Sequence, residues 1–398
     1  MTARHVRSPR FGRFLPPIGN EFISIEVLSG LALVAAAFCA LVWANADPAS
    51  YVSAWTGELG PLTAREWVND ALMAVFFFVV GLEIKRELVE GELRSPRRAA
   101  LPAIAALGGM VVPALVFTAW TLGGDGARGW GIPMATDIAF ALGVLALLGS
   151  RVRPEAKLFL LALAIVDDIG AIIVIAVFYS SNVDALWLLA AVGVCLVVVL
   201  MRRFGLAHPG SYLVPGIALW FCVHEAGVHA TIAGVVLAFL LPATPGPDDG
   251  PVEKLEHALH PWTGFLIVPL FALANAGVEL GGAALERAVS SPVTLGVATG
   301  LVVGKTLGIT LFAFVALRLG LAHLPRGLTK GQILPVSVVA GIGFTVSLFV
   351  AELSFTGRLL DDAKIGVLVA SLVAAIVGTV MVMARRTVDE EPPLKERT

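Results

Sequence analysis

Long apolar runs, interrupted at short intervals by polar residues, dominate the 398-residue chain. Twelve such stretches can be read, near 23–45, 67–84, 99–120, 132–149, 158–179, 185–201, 211–223, 227–241, 262–279, 292–317, 332–350 and 363–384. They are continuous and rich in Leu, Ala and Val, and their connections carry Gly, Pro and charge. A spanning β-barrel would instead need alternating strands of about ten residues. A helix crosses the bilayer with about 20 apolar residues. The pattern therefore predicts an all-α integral membrane protein of about 12 transmembrane helices. A domain at 23–386 would be flanked by segments 1–22 and 387–398.

The basic residues orient these spans. With the N-terminus placed in the cytoplasm, the predicted inside segments hold 22 of the 28 Lys and Arg residues, and the outside segments hold five. Such a bias over short loops is the positive-inside signature. It places both termini in the cytoplasm. The first run follows four arginines and precedes Ala44-Asn45-Ala46, which imitates a signal peptide. At about 20 residues it exceeds the 7–15 of such a segment, so a retained span is expected.

Composition narrows the class. Hydrophobic residues make up 57% and charged residues 15%, against about 45–50% and 25% in soluble domains. Mean hydropathy is +0.86. This excludes a water-soluble enzyme. A net charge of −2 with no basic face excludes a nucleic-acid binder. Cys39, Cys195 and Cys222 lie in apolar runs and read as small core residues, not as a disulfide or zinc framework.

An ionisable residue at bilayer depth is costly and marks function by default. Four qualify: Asp137, the adjacent Asp167 and Asp168, and Lys305. Two neighbouring carboxylates in a low dielectric cannot both ionise without a countercharge, so the pair holds a proton readily. A hard alkali cation can supply that charge and displace the proton. Alternatively, the carboxylates are held only by hydrogen bonds or by Lys305. Helix neighbours point about 100° apart, so one can touch a cation while the other pairs with Lys305.

Asp137 and Lys305 point to a different task. Pro133 precedes Asp137 by one turn, beside Thr136, and the eleventh run carries Pro335, Gly341 and Gly343. These are helix breakers. Two half-helices meeting in the membrane expose dipole ends. Asp137 would neutralise N-terminal ends, and Lys305 would neutralise C-terminal ends. A simple proline kink is the plainer alternative. Runs 4 and 11 have opposite sense and each centres a triplet, as in an inverted repeat.

A second cluster follows the second run at helical spacing: Glu83, Arg86, Glu87 and Glu90. Glu256, His257 and His260 open the ninth. Histidine titrates near neutrality, so the cluster could sense pH, although spacing alone favours a solvated, ion-paired helix end. His229 and Asp70 lie in or near spans with no role assigned by spacing. The histidines of His224-Glu225-Ala-Gly-Val-His229 are five apart, not the four of a zincin.

Several segments are similar to the NhaA-type sodium/proton antiporters of bacterial inner membranes. They include Ala135 to Arg151, Ala162 to Ala171, Gly227 to Gly234, Leu255 to Trp262, Asn69-Asp70 through Glu87, and Gly341 to Thr345. The likeness spans roughly residues 19–384. That family is itself an example of the inverted-repeat architecture, with two crossed discontinuous helices. The resemblance implies that Asp167 and Asp168 bind the cation and proton. It gives Thr136, Asp137, Lys305, Gly341 and Gly343 to the crossing, with Lys305 able to bridge Asp167. Glu83, Arg86, Glu87, Glu256, His257, His260 and His229 would regulate by pH, and Asp70 matches the shared Asn-Asp. It also implies a homodimer through a β-hairpin in the first periplasmic loop, here about 46–66, with Tyr51, Val52, Trp55 and a turn-like Thr56-Gly57. Where relatives are expected to carry proline after the membrane lysine, this chain has Thr306.

The combined expectation is a secondary antiporter in the bacterial inner membrane. It would export Na+, and Li+ too, for external protons, electrogenically, with no cofactor and no nucleic-acid partner. A channel would need continuous weak sites along an open path. An intramembrane protease lacks its catalytic residues here. An organic-acid symporter would need more buried cations than Lys305, which the sequence presents as the only one.

Overall fold

The computed structural model describes residues 25–384 except 181–182, 207, 243–250 and 326. The segments 1–22 and 387–398, with their basic residues, lie outside the described residues. Helices follow the apolar runs, with two short ones, Pro48–Thr56 and Gly282–Ser290, between runs: α1 (Ile25–Ala46), α2 (Pro48–Thr56), α3 (Ala64–Val89), α4 (Pro96–Thr121), α5 (Ile138–Leu147), α6 (Pro154–Phe178) and α7 (Ala185–Arg203). They continue as α8 (Leu213–Glu225), α9 (Thr231–Leu240), α10 (Val252–Asn275), α11 (Gly282–Ser290) and α12 (Pro292–Arg318). The last are α13 (Lys330–Val339), α14 (Phe344–Ser354) and α15 (Gly357–Met383).

Among the described residues, eight helices are long and apolar enough to cross a membrane, and two bent pairs raise the number to ten. The runs at 211–223 and 227–241 form α8 and α9, of 13 and 10 residues. At 1.5 Å per residue these are about 20 and 15 Å long, short of a hydrocarbon core of about 30 Å. Among the described residues these two helices fall below the length needed to cross, and Gly227, at φ +74°, lies in the break between them, where runs 211–223 and 227–241 part.

The bent pairs are the runs in which helix breakers stood out. A 3-10 helix, Asp125–Met134, leads into α5 at 46°, and α13 leads into α14 at 48°. The first half of the first pair is 3-10 rather than α. Gly126, Gly129, Gly131 and Pro133 lie within it, and such residues support α-helix poorly. Three spans also contain a π turn, at Trp67–Leu72 in α3, Thr263–Ile267 in α10 and Gly300–Gly304 in α12. The last ends immediately before Lys305.

Glycine sets the closest helix contacts. A Cβ on Gly308 of α12 would lie 2.1 Å from the Gly108 carbonyl oxygen of α4, and one on Gly108 would lie 2.3 Å from that of Gly308. Small residues of this kind let membrane helices approach backbone to backbone. The outward faces carry large apolar side chains such as Phe38, Leu115, Leu186 and Leu372. Cys39 is also exposed there and Cys195 is half-buried, so of the three cysteines read as core residues only Cys222 is buried.

Between α1 and α3 the loop is ordered differently from its expectation. Tyr51 and Trp55 lie on α2 and are buried against the same chain. The hairpin is β1 (Glu58–Leu59) paired antiparallel with β2 (Leu62–Thr63). It turns at Gly60 (φ +76°), not at Thr56-Gly57, which closes α2. The two ends of the helix bundle are called here the hairpin end and the Arg86 end.

Candidate functional site

Asp137 stands at the meeting point of the two bent pairs. Its Oδ1 accepts from the Phe140 amide at 2.9 Å, which caps the N-terminus of α5. Its Oδ2 accepts from the Thr345 amide at 3.0 Å and the Thr345 hydroxyl at 2.6 Å, in the first turn of α14. One carboxylate therefore serves two helix N-termini, where a negative charge is stabilised. The Asp137 amide donates to the Ile342 carbonyl at 2.7 Å and ties the two breaks together.

The opposite dipole ends meet cationic and hydroxyl donors. Lys305 Nζ donates to the Met134 carbonyl at 2.5 Å, at the C-terminus of the 3-10 helix. Thr136 Oγ1 lies 2.9 Å from the Ala340 carbonyl at the end of α13 and 2.8 Å from Asp167 Oδ2. Gly341 and Gly343 make the crossing possible. A Cβ on Gly341 would stand 2.5 Å from the Leu301 carbonyl oxygen, and one on Gly343 2.3 Å from Ser347 Oγ. A proline kink would not bring these four termini together, so the broken-helix reading prevails.

Lys305 also makes the contact that spacing left open. Its Nζ lies 2.7 Å from Asp167 Oδ2, with both side chains at 0% exposure. Asp167 is the partner, and Asp168, beside it on α6, is buried as well. Asp167 Oδ1 and Asp168 Oδ1 are buried oxygens without a hydrogen-bond partner. When all three groups are ionised, two carboxylates face one ammonium. The set then carries one uncompensated negative charge, and desolvated charge of this kind calls for a cation or a proton.

The second cluster assembles in part. Arg86 Nη1 lies 2.7 Å from Glu256 Oε1 and Nη2 lies 4.0 Å from Glu87 Oε1, which joins α3 to α10. Glu87 Oε2 also accepts from the Glu92 amide at 3.0 Å. Glu83 lies one turn before Arg86 and Glu87 on α3, half-buried. Glu256 is buried, whereas His257 and His260 occupy exposed positions on α10. His229 is apart from this group, at the other end of α9, where Nε2 lies 2.9 Å from the Tyr179 carbonyl. Asp70 is also apart. It sits in the π turn of α3, about 20 Å along the helix from Glu83, and its carbonyl accepts from Trp220 Nε1 at 3.1 Å.

Several participants escape a reading of the sequence. Thr345 and Ser347 look like small helix residues, yet Thr345 binds Asp137 and Ser347 donates to the Ile132 carbonyl at 2.8 Å. Lys305 is not the only buried cation. Lys85 is buried and donates to the Phe239 carbonyl at 2.8 Å and to that of Leu241, at the end of α9. Lys364, read as an outside charge, is buried 2.7 Å from Glu352. Both lie near run ends, where a lysine ordinarily reaches water.

Comparison with known proteins identifies the family. The profile of the family described as Na+/H+ antiporter 1 matches residues 20–382. The Na(+)/H(+) antiporter NhaA of Escherichia coli O1:K1 is 47% identical over 376 residues, covering 90% of this chain and 96% of that protein. The one from Salmonella paratyphi A is 46% identical over 383 residues, covering 92% and 98%. The structure of the sodium proton antiporter MjNhaP1 from Methanocaldococcus jannaschii aligns with a TM-score of 0.52 at 15% identity, over 89% of this chain and 97% of that one, a likeness of fold alone. The chain therefore belongs to the Na+/H+ antiporter 1 family, and it is a secondary transporter rather than an enzyme.

Proposed function

We propose that this protein exports Na+ in exchange for external protons at Asp167 and Asp168, by alternating access. The observation that carries this reading is the buried Asp167–Lys305 pair beside two unpartnered carboxylate oxygens. Protons neutralise the carboxylates from the outer side. After the switch to the inward-open state, Na+ displaces them, and Li+, also a hard alkali cation, is accepted by the same oxygens. Lys305 holds Asp167 until a cation or proton takes over its charge. Two carboxylates can release more than one proton per Na+, which makes exchange electrogenic and responsive to about 2.3 kcal/mol per charge per 100 mV.

In this reading the protein lies in a bacterial inner membrane with the Arg86 end facing the cytoplasm, an orientation that the bias of basic residues between the spans supports. Glu83, Arg86, Glu87 and Glu256, with His257 and His260 on the same element, set the pH at which transport begins. His229 adds a separate pH-dependent contact. The hairpin β1–β2, with Leu59 exposed, mediates homodimerisation.

Sodium-dependent dequenching of a pH-sensitive dye in inverted membrane vesicles tests the exchange. Wild type should dequench on addition of Na+ and Asp168→Asn should not. Exchange by Asp168→Asn would refute the site, and Na+ movement without protons in wild type would refute antiport.

A further inference from the structure

Tyr179 is the residue after α6, the helix of Asp167 and Asp168, and it is 2% exposed. Its hydroxyl donates to the Arg128 carbonyl at 2.8 Å and accepts from the Gly131 amide at 3.3 Å. These two groups, three residues apart, are the acceptor and donor of one turn in the 3-10 helix Asp125–Met134. A side chain from α6 therefore bridges a turn of the half-helix. Gly131 makes room for it, since a Cβ there would stand 2.8 Å from the hydroxyl oxygen and 3.3 Å from the nearest ring carbon. The residues just before, Trp130 and Phe178, meet edge to face with ring centroids 5.1 Å apart. Ser354, which ends α14, acts on the same hydroxyl. One phenol thus meets the hairpin-end halves of both broken helices.

The same half-helix is tied to α6 a second time, at its other end. Thr136, two residues beyond it, donates to Asp167 Oδ2 at 2.8 Å. Lys305 joins the Met134 carbonyl to the same oxygen, at 2.5 and 2.7 Å. Asp167 and Tyr179 stand about 18 Å apart along α6, so with both ties made the half-helix cannot slip along that helix. The ties differ in what transport asks of them. The one at Asp167 depends on a carboxylate charge that the cation or proton takes over, and it loosens then. The one at Tyr179 joins neutral groups and persists.

We propose that Tyr179 is a positioning residue for the exchange, whose hydroxyl keeps the 3-10 half-helix in register with α6 while Asp167 is engaged by the transported ion. In the empty protein both ties set that register. In the loaded protein Lys305 has released Asp167, and the phenol keeps the Met134 carbonyl and the Thr136 hydroxyl beside the site. Removing its hydroxyl weakens the loaded state more than the empty one, and only such a difference between states alters an affinity. This inference rests on the exchange reading.

Tyr179→Phe removes the hydroxyl alone. The Arg128 carbonyl and the Gly131 amide are left to each other, and the main-chain carbonyl at 179 keeps its contact with His229. In inverted vesicles the Na+ concentration for half-maximal exchange should rise about fivefold, the low end of coupling between two sites, with the maximum rate kept. An unchanged half-maximal concentration would overturn the proposal. So would a fall in maximum rate alone, which marks a merely structural role. Gly131→Ala presses a Cβ against the hydroxyl and should raise the half-maximal concentration in the same direction. It decides the matter if Tyr179→Phe does not reach the membrane, and an unmoved value overturns the proposal. Thermal unfolding reads the contact without transport. Gly131→Ala combined with Tyr179→Phe lacks the oxygen that the Cβ meets, so it should melt above Gly131→Ala alone, and no recovery would overturn the tie. A wild type that exchanges no Na+ for protons refutes the exchange reading itself, and with it any role of Tyr179 in exchange.

Discussion

Asp137 and Thr345, 208 positions apart in the chain, meet through two hydrogen bonds to a single carboxylate oxygen, at 3.0 and 2.6 Å. The contact joins the start of α14 to the start of α5. Thr345→Val keeps the amide donor and removes the hydroxyl. A hydrogen bond to a charged group contributes about 1.5–3 kcal/mol, and a loss of that order is expected. Asp137→Asn also removes the charge from both helix termini and should cost more. Thermal unfolding in detergent, compared between the two variants, checks the order.

Lys305→Met leaves Asp167 buried without its countercharge. Breaking a buried pair by removing one partner costs about 3–5 kcal/mol. Lys305→Arg retains the charge and should lose less stability, although a guanidinium cannot reproduce the 2.5 Å contact with the Met134 carbonyl in the same space. The melting temperatures should rank wild type, Lys305→Arg, Lys305→Met. A Lys305→Met protein as stable as wild type would contradict the role given to this pair.

Two glycines should respond in opposite directions. Gly308→Ala forces a Cβ to within 2.1 Å of the Gly108 carbonyl oxygen, and overpacking of this kind costs about 1–3 kcal/mol or more where backbone must give. Gly193, inside α7, has nothing within 4 Å of an added Cβ. Gly193→Ala should stabilise by up to about 1 kcal/mol through helix propensity. Melting curves of the two single variants read both signs in one experiment.

Glu256→Gln removes the carboxylate that holds Arg86 at 2.7 Å. His257→Ala removes an imidazole from the next position on α10. Both should displace the pH profile of Na+-dependent proton movement in inverted vesicles while leaving a measurable maximum rate. Unchanged profiles in both would return this cluster to a solvated, ion-paired helix end.

Much of the fold is legible because bilayer crossing is a local property. Apolar runs, their breakers and the basic residues between them can be read without knowing any contact. At α8 and α9 the break between runs 211–223 and 227–241 is legible and falls at Gly227, whereas how far each short helix reaches across a bilayer is not. The same reading fails at Lys85 and Lys364. Near the end of an apolar run, a lysine in water and a lysine folded back onto carbonyls or Glu352 have the same sequence surroundings.

The sequence by itself determined that this is a helical membrane protein, that four ionisable groups lie deep within it, and that two of its runs are broken. Each conclusion rests on the cost of placing polar groups in hydrocarbon, which depends on residue type and position alone. Only the tertiary structure decided that Lys305 takes Asp167 as its carboxylate partner, that one carboxylate serves two helix termini, and that Lys364 is buried against Glu352. These are contacts between residues distant in the chain. Their distances follow from how closely glycines such as Gly308 and Gly343 let whole helices approach, a quantity that no local pattern encodes.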